Sequence, residues 1–127
     1  MKTEDIGILI KDQFGLTDWN PHAPEYDTIE PDEVSALITP LPMENYNAIT
    51  YDCFEKALGT MSDVRRLLAS GSTLKAFGWA EGTMFQGVEK SHVVNLFLSK
   101  DGIYLIDRET KQMWKASKND KIFWVVM

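Results

Sequence analysis

Cysteine and histidine are scarce: the chain has one Cys and two His in 127 residues. A lone cysteine forms no internal disulfide, and so few soft ligands exclude a four-ligand zinc site of the usual kind. Long apolar runs are missing as well. None reaches the roughly 18 residues that a spanning helix needs, and Met1-Lys2-Thr3-Glu4-Asp5 lacks the basic flank and apolar stretch of a signal peptide. These absences predict a cytoplasmic protein with no membrane partner. Positive charge is in deficit too, with 13 Lys and Arg against 19 Asp and Glu and a net charge of -6. No basic block is present, so binding to nucleic acid driven by counterion release is not expected.

What remains is the composition of an ordinary globular domain, 44% hydrophobic and 25% charged. A chain of 127 residues makes one domain that buries roughly two thirds of its unfolded surface. Three regions follow one another within 1–127: helix and loop over 1–45, a nucleophile helix region over 46–73, and strands over 74–127.

The first helix runs from Thr3, as cap, to Phe14, with Ile6, Leu9 and Ile10 on one face and Gly15 as the stop. Residues 16–31 show no period and read as a long ordered loop rich in turn formers and aromatics, including Trp19, His22 and Tyr26. His22 reads as a surface loop residue. Pro31 to Ile38 is a short helix, with proline at its first position and Asp32 and Glu33 in its first turn. A third helix is predicted from Thr50 as N-cap, with Phe54, Ala57, Leu58, Met61, Val64, Leu67 and Leu68 on its apolar face. Gly59 and Ser62 leave open whether it is one helix or two. From Leu74 the pattern turns to strands, with Glu81-Gly82 and Lys100-Asp101-Gly102 as turns, His92–Leu98 and Ile103–Asp107 as a hairpin, and Ile122–Val126 as a last strand. Helices first and antiparallel strands after make an α+β domain.

Cys53 falls in the first turn of the third helix. Unpaired N–H groups and the helix dipole favour a thiolate there, although a small side chain packed beneath a helix would account for the residue equally simply. A cysteine nucleophile needs a base and a group that orients the base. His92 opens one strand, and a hairpin centred near 100 and 101 pairs it with about 108 or 109. Asp107 and Glu109 therefore both come near it, and either could orient it. Asn47 or Asn45, upstream, could offer an amide to an oxyanion beside the Cys53 N–H.

A helix-borne Cys, a strand-borne His about forty residues later and an acid after a short hairpin resemble the order in minimal papain-like and transglutaminase-like cysteine enzymes. More narrowly, YNAITYDCFEKA at 46–57, SHVVNLFLSKDGIYLIDRETKQMW at 91–114 and the terminal KIFWVVM resemble the small papain-like domain at the C-terminus of mushroom-type fungal agglutinins and its stand-alone bacterial and phage relatives. The resemblance implies Cys53 as nucleophile, His92 of the H-x-x-N strand as base, and Asp107, or secondly Glu109, as the third member. It also implies a fold of helices packed on an antiparallel sheet, and a hydrolase that cleaves a peptide or related amide of a peptide or protein substrate; a phage-encoded copy would be virion-associated. The alternative is a non-catalytic structural or partner-binding protein on the same scaffold. Relatives carry a DCDDFA-like run, and the family's calcium dependence draws on acids. This chain has Phe54-Glu55-Lys56-Ala57 instead, so neither metal nor cofactor is expected. The sugar-binding β-trefoil of the agglutinins is absent, and carbohydrate recognition is not expected.

Overall fold

The computed structural model describes residues 1–41, 52–69, 71 and 73–127. Its centre is β4, His92–Ser99, a strand buried along nearly its whole length. Such a run of Val, Leu and Phe is what a strand covered on both faces requires. β4 lies between β3, Phe77–Thr83, and β5, Gly102–Ile106, and pairs antiparallel with both. With β6, Met113–Lys115, and β7, Lys121–Val126, they form a five-stranded sheet ordered β6-β5-β4-β3-β7. A separate two-residue parallel pair joins β1, Tyr26–Asp27, to β2, Leu74–Lys75.

Alternation along β4 divides the core. Val94, Leu96 and Leu98 share a cluster with Ile6 and Ile10 of α1, Thr3–Phe14. Phe97 points the other way, into a cluster with Val34 and Ile38 of α2, Pro31–Ile38, and Val64 of α3, Cys53–Leu67. Val93 packs on that same side with Ala57 and Trp79. The α+β architecture read from the sequence is the one observed. No helix among the described residues is long and apolar enough to cross a membrane.

Local chemistry explains the helix ends, and it corrects several expectations. α1 stops at Gly15, whose φ of 70° is the left-handed conformation a helix C-cap favours. Lys2 precedes it as N-cap, while the Thr3 hydroxyl donates to the Ala23 carbonyl instead of capping. α2 begins with Pro31 and a capping box between Glu30 and Glu33. The N-cap of α3 is Asp52, whose carboxylate accepts from the Glu55 N–H at 3.0 Å; Thr50, expected in that role, lies outside the described residues. α3 is one helix through Gly59 and Ser62. Its inner face carries Lys56, Ala57, Thr60 and Val64, whereas the expected Phe54, Leu58 and Leu67 are 38%, 42% and 55% exposed. Ala57 and Val64 are buried as expected, and the buried face is turned from the expected one so that it also takes in Lys56, which pairs with Glu109, and Thr60, whose hydroxyl donates to the Lys56 carbonyl.

Glu81-Gly82 is no turn. Both residues lie inside β3, where a bulge opposite β7 leaves consecutive Phe123 and Trp124 both exposed. Residues 16–31 contain the short β1, and they are fastened to the sheet end. Asn20 bridges Val126, and the Tyr26 hydroxyl and the His22 Nδ1 each lie 2.8 Å from the Met127 carbonyl oxygen. β6 was not anticipated from the sequence; its three residues pair Lys115, Trp114 and Met113 with Tyr104, Leu105 and Ile106.

Candidate active site

Cys53 is the first residue of α3 and is half-buried. The helix that carries it is tied to the sheet by Asn95, fully buried on β4, whose Nδ2 donates to the Ala57 carbonyl at 2.8 Å and to the Gly78 carbonyl at 2.9 Å. One amide side chain thus joins α3, β4 and β3. Beside it the Cys53 thiol lies near the first two residues of β4, where the His92 side chain and the Val93 backbone N–H both favour its thiolate form.

The β4–β5 hairpin then brings back the acid. Its register pairs Ser99 with Gly102 and Asn95 with Ile106, and Asp107 follows at once. Residues 107 to 112 form a closed turn in which the Asp107 N–H donates to the Gln112 carbonyl at 2.9 Å and the Lys111 N–H to the Asp107 carbonyl at 2.6 Å. The Asp107 carboxylate is held at both ends. Its Oδ1 accepts the Glu109 N–H at 2.9 Å, and its Oδ2 lies 3.1 Å from Nε2 of His92.

The electrostatics follow from these bonds. His92 is raised from an ordinary 6.5 to about 10, first by the hydrogen bond to Asp107, then by the one to Cys53, with burial opposing both. The Cys53 thiol is lowered, chiefly by the His92 hydrogen bond; burial and the Glu109 carboxylate push it up, the Val93 N–H down. Burial pushes the Asp107 carboxyl up, yet His92 and the backbone N–H groups of Glu109 and Thr110 outweigh it and hold the group below the usual carboxylate range. Each shift favours the charged form of its group, thiolate at Cys53 and imidazolium at His92.

The structure brings together Cys53, His92, Asp107 and Glu109, all four described residues among those singled out from the sequence. Asn47 and Asn45 lie outside the described residues. Of the two acids, Asp107 contacts the imidazole. Glu109 pairs with Lys56, whose Nζ is 3.5 Å from Oε1. Sequence reasoning passed over Lys56, Asn95 and the Val93 N–H. A helical wheel could have found Lys56, which stands three residues after Cys53 and so on its face; nothing local marks the other two.

Among the described residues, His92, Asp107 and Glu109 each offer a ligand atom, all within 4.8 Å of one another, the one group there to test against a divalent cation such as calcium. The donors do not fit it. Two are bonded to each other, and the third is paired with a buried ammonium that a divalent cation would have to approach.

On the far side of the imidazole a pocket of about 270 Å³ opens between Phe85, Val88 and Lys90 and the three residues His92, Asp107 and Glu109. The turn that carries Phe85 has positive φ at Met84, Gln86 and Gly87, a conformation that turns the 84–87 segment sharply out of β3 and tucks Phe85 inward. On the other side an aromatic row leads away from Cys53. Phe54 stands edge-on to Trp79 at 5.2 Å, and Trp79 is 5.6 Å from Trp124.

No protein-family model matches the chain, and no curated protein matches it. Solved structures do share its fold. A Polyporus squamosus lectin bound to the human-type influenza-binding epitope Neu5Aca2-6Galb1-4GlcNAc is similar at a TM-score of 0.80 and 12% identity, over 100% of this chain and 49% of that one. A PSL1a-E64 complex is similar at 0.77 and 14% identity, over 100% of this chain and 51% of that one. The likeness to fungal agglutinins thus holds as a likeness of fold. The chain spans about half the length of the solved structures it matches.

Proposed function

We propose that the chain is a small papain-like cysteine hydrolase that cleaves a peptide or related amide through an acyl-enzyme. The observation that carries this reading is the His92 Nε2 to Asp107 Oδ2 bond of 3.1 Å, on an imidazole that lies beside the Cys53 thiol and favours its thiolate form. In the reaction the Cys53 sulfur adds to the carbonyl carbon. The carbon–nitrogen bond then breaks as the His92 imidazolium gives its proton to the leaving amine. Water, deprotonated by His92, attacks the thioester and releases the acid and the thiolate. Asp107 holds the imidazole throughout. The oxyanion forms at the start of α3, where the Cys53 N–H and the helix dipole favour negative charge.

The pocket beside His92 suits the leaving-group side of the substrate, because Cys53 does not line it. Its Phe85 and Val88 walls favour an apolar side chain there.

The PSL1a neighbour is a complex with E64. E64, an epoxide that alkylates thiolates, is therefore the probe of choice. Intact mass should show one adduct per wild-type chain at neutral pH, none in Cys53→Ala, and a much slower adduct in His92→Ala. No adduct, together with iodoacetamide alkylation no faster than in the unfolded chain, would sink the hydrolase and favour the structural or partner-binding protein.

A second reading, a sugar-binding domain, draws on the glycan held by the Polyporus squamosus lectin and on the Phe123 and Trp124 rings, 51% and 48% exposed. Calorimetric titration with Neu5Aca2-6Galb1-4GlcNAc tests it: saturable heat that is lost in Trp124→Ala would support sugar binding, and a flat titration would remove it.

A further inference from the structure

Lysine is almost never fully buried unless paired, yet Lys56 is 1% exposed, one helical turn beyond Cys53 on the inner face of α3. Its ammonium reaches Glu109 at 3.5 Å. Glu109 and Asp107 come from one turn, and both carboxylates lie within 4.8 Å of a His92 ring nitrogen. Two carboxylates beside one imidazole repel each other and compete for its proton. Only Asp107 bonds the ring, at 3.1 Å. The cation that separates them enters from the opposite element, on a helix that Asn95 ties to the sheet. Among the described residues, Cys53 from α3 and Lys90 from the loop before β4 also face this cluster.

We propose that Lys56 is a positioning residue, a built-in counter-charge that holds Glu109 off His92, leaves Asp107 as the orienter and makes a divalent cation unnecessary at this site. The proposal rests on the cysteine-hydrolase reading above. Without the ammonium, the Glu109 charge falls on the Cys53–His92 pair, and the thiolate is disfavoured.

The test is the pH dependence of Cys53 alkylation by iodoacetamide in wild type, Lys56→Met, Glu109→Gln and the double variant, each checked for folding by circular dichroism. Lys56→Met should raise the apparent thiol pKa and slow alkylation at pH 6 about fivefold, the effect of one displaced neighbouring charge. Glu109→Gln should lower the apparent pKa, and the double variant should recover most of what Lys56→Met loses. A Lys56→Met profile superposed on wild type, or a double variant as slow as the single one, overturns the proposal.

Should Lys56→Met not fold, Glu109→Gln decides. A downward shift supports Asp107 as orienter, and an upward shift or lost reactivity makes Glu109 the orienter and overturns the proposal. Calcium titrated into the wild type by calorimetry should give no heat that Glu109→Gln abolishes; such heat also overturns it. A wild-type thiol that alkylates like the unfolded chain overturns the hydrolase reading and this inference with it, whereas an activated wild-type thiol indifferent to Lys56 overturns this inference alone.

Discussion

Asn95 lies three residues after His92 on β4, fully buried, and its Nδ2 bonds the Ala57 carbonyl of α3 at 2.8 Å and the Gly78 carbonyl of the adjacent strand at 2.9 Å. The strand that carries His92 therefore also fixes where the helix with the cysteine begins. A hydrophobic contact allows sliding along the helix axis; two directed bonds to backbone carbonyls do not.

Replacing Asn95 should accordingly affect stability and reactivity together. Asn95→Ala removes two directed hydrogen bonds, each worth about 0.5–1.5 kcal/mol, and it releases the α3 start from the sheet. Urea melts should show a lower midpoint, and Cys53 alkylation at pH 6 should slow in the fraction that remains folded. A folded Asn95→Ala with wild-type alkylation would mean that packing alone sets the helix position.

Asp107→Asn keeps the shape of the side chain and removes its charge. The hydrogen bond to a charged imidazole is worth about 1.5–3 kcal/mol, so alkylation of Cys53 near pH 6 should fall by about 10- to 100-fold, with the apparent thiol pKa moving up. Equal rates in Asp107→Asn and wild type would show that Asp107 does not stabilise the imidazolium.

Stability should depend on pH in a defined window. His92 is raised to about 10 in the fold from about 6.5 in an ordinary setting. A raised basic group contributes stability that is fully present below its unfolded value and is lost as pH rises through the folded one. Asp107 is lowered, so its contribution is present above the ordinary carboxylate range and is lost as pH falls through its folded value. The stability gap between wild type and His92→Gln should therefore be widest around pH 5 to 6 and should close steadily between about 6.5 and 10. Denaturant melts of both proteins across that range measure it. A gap that widens toward pH 10 would contradict the raised His92.

Gly78 is a packing requirement on β3. A Cβ there would overlap the Val126 carbonyl on β7, so Gly78→Ala must push the two strands apart. Overpacking of this kind costs about 1–3 kcal/mol, read as a lower denaturation midpoint. Gly15→Ala, by comparison, meets no atom within 4 Å and strains only the positive φ of 70°; it should cost less. A Gly78→Ala protein as stable as wild type would require the sheet edge to be looser than its pairing indicates.

Much of this protein is local, and that part is legible along the chain. Pro31, the Asp32-Glu33 pair and Gly15 act on their own backbone neighbours, which is why α1 and α2 are found where the sequence puts them. The apolar run of β4 and the Lys100-Asp101 turn determine the hairpin register, and that register delivers Asp107 to His92. Cys53 at a helix start is likewise a local fact. The exact cap was not legible, because Thr50 and Asp52 have similar capping chemistry and only the folded backbone shows Asp52 accepting the Glu55 N–H.

Tertiary structure decided what depends on partners distant in sequence. The face of α3 was ambiguous because neighbouring stripes share one period; in the fold Lys56 turns inward to Glu109 of the turn after β5, and Asn95 of β4 bonds the Ala57 carbonyl. Whether Asp107 or Glu109 reaches the imidazole could not be read from spacing. Both leave the same turn, and the choice falls to a buried ammonium that arrives from a helix 53 residues away in sequence. Charge pairing in a desolvated site acts through space, so only the assembled fold could assign it.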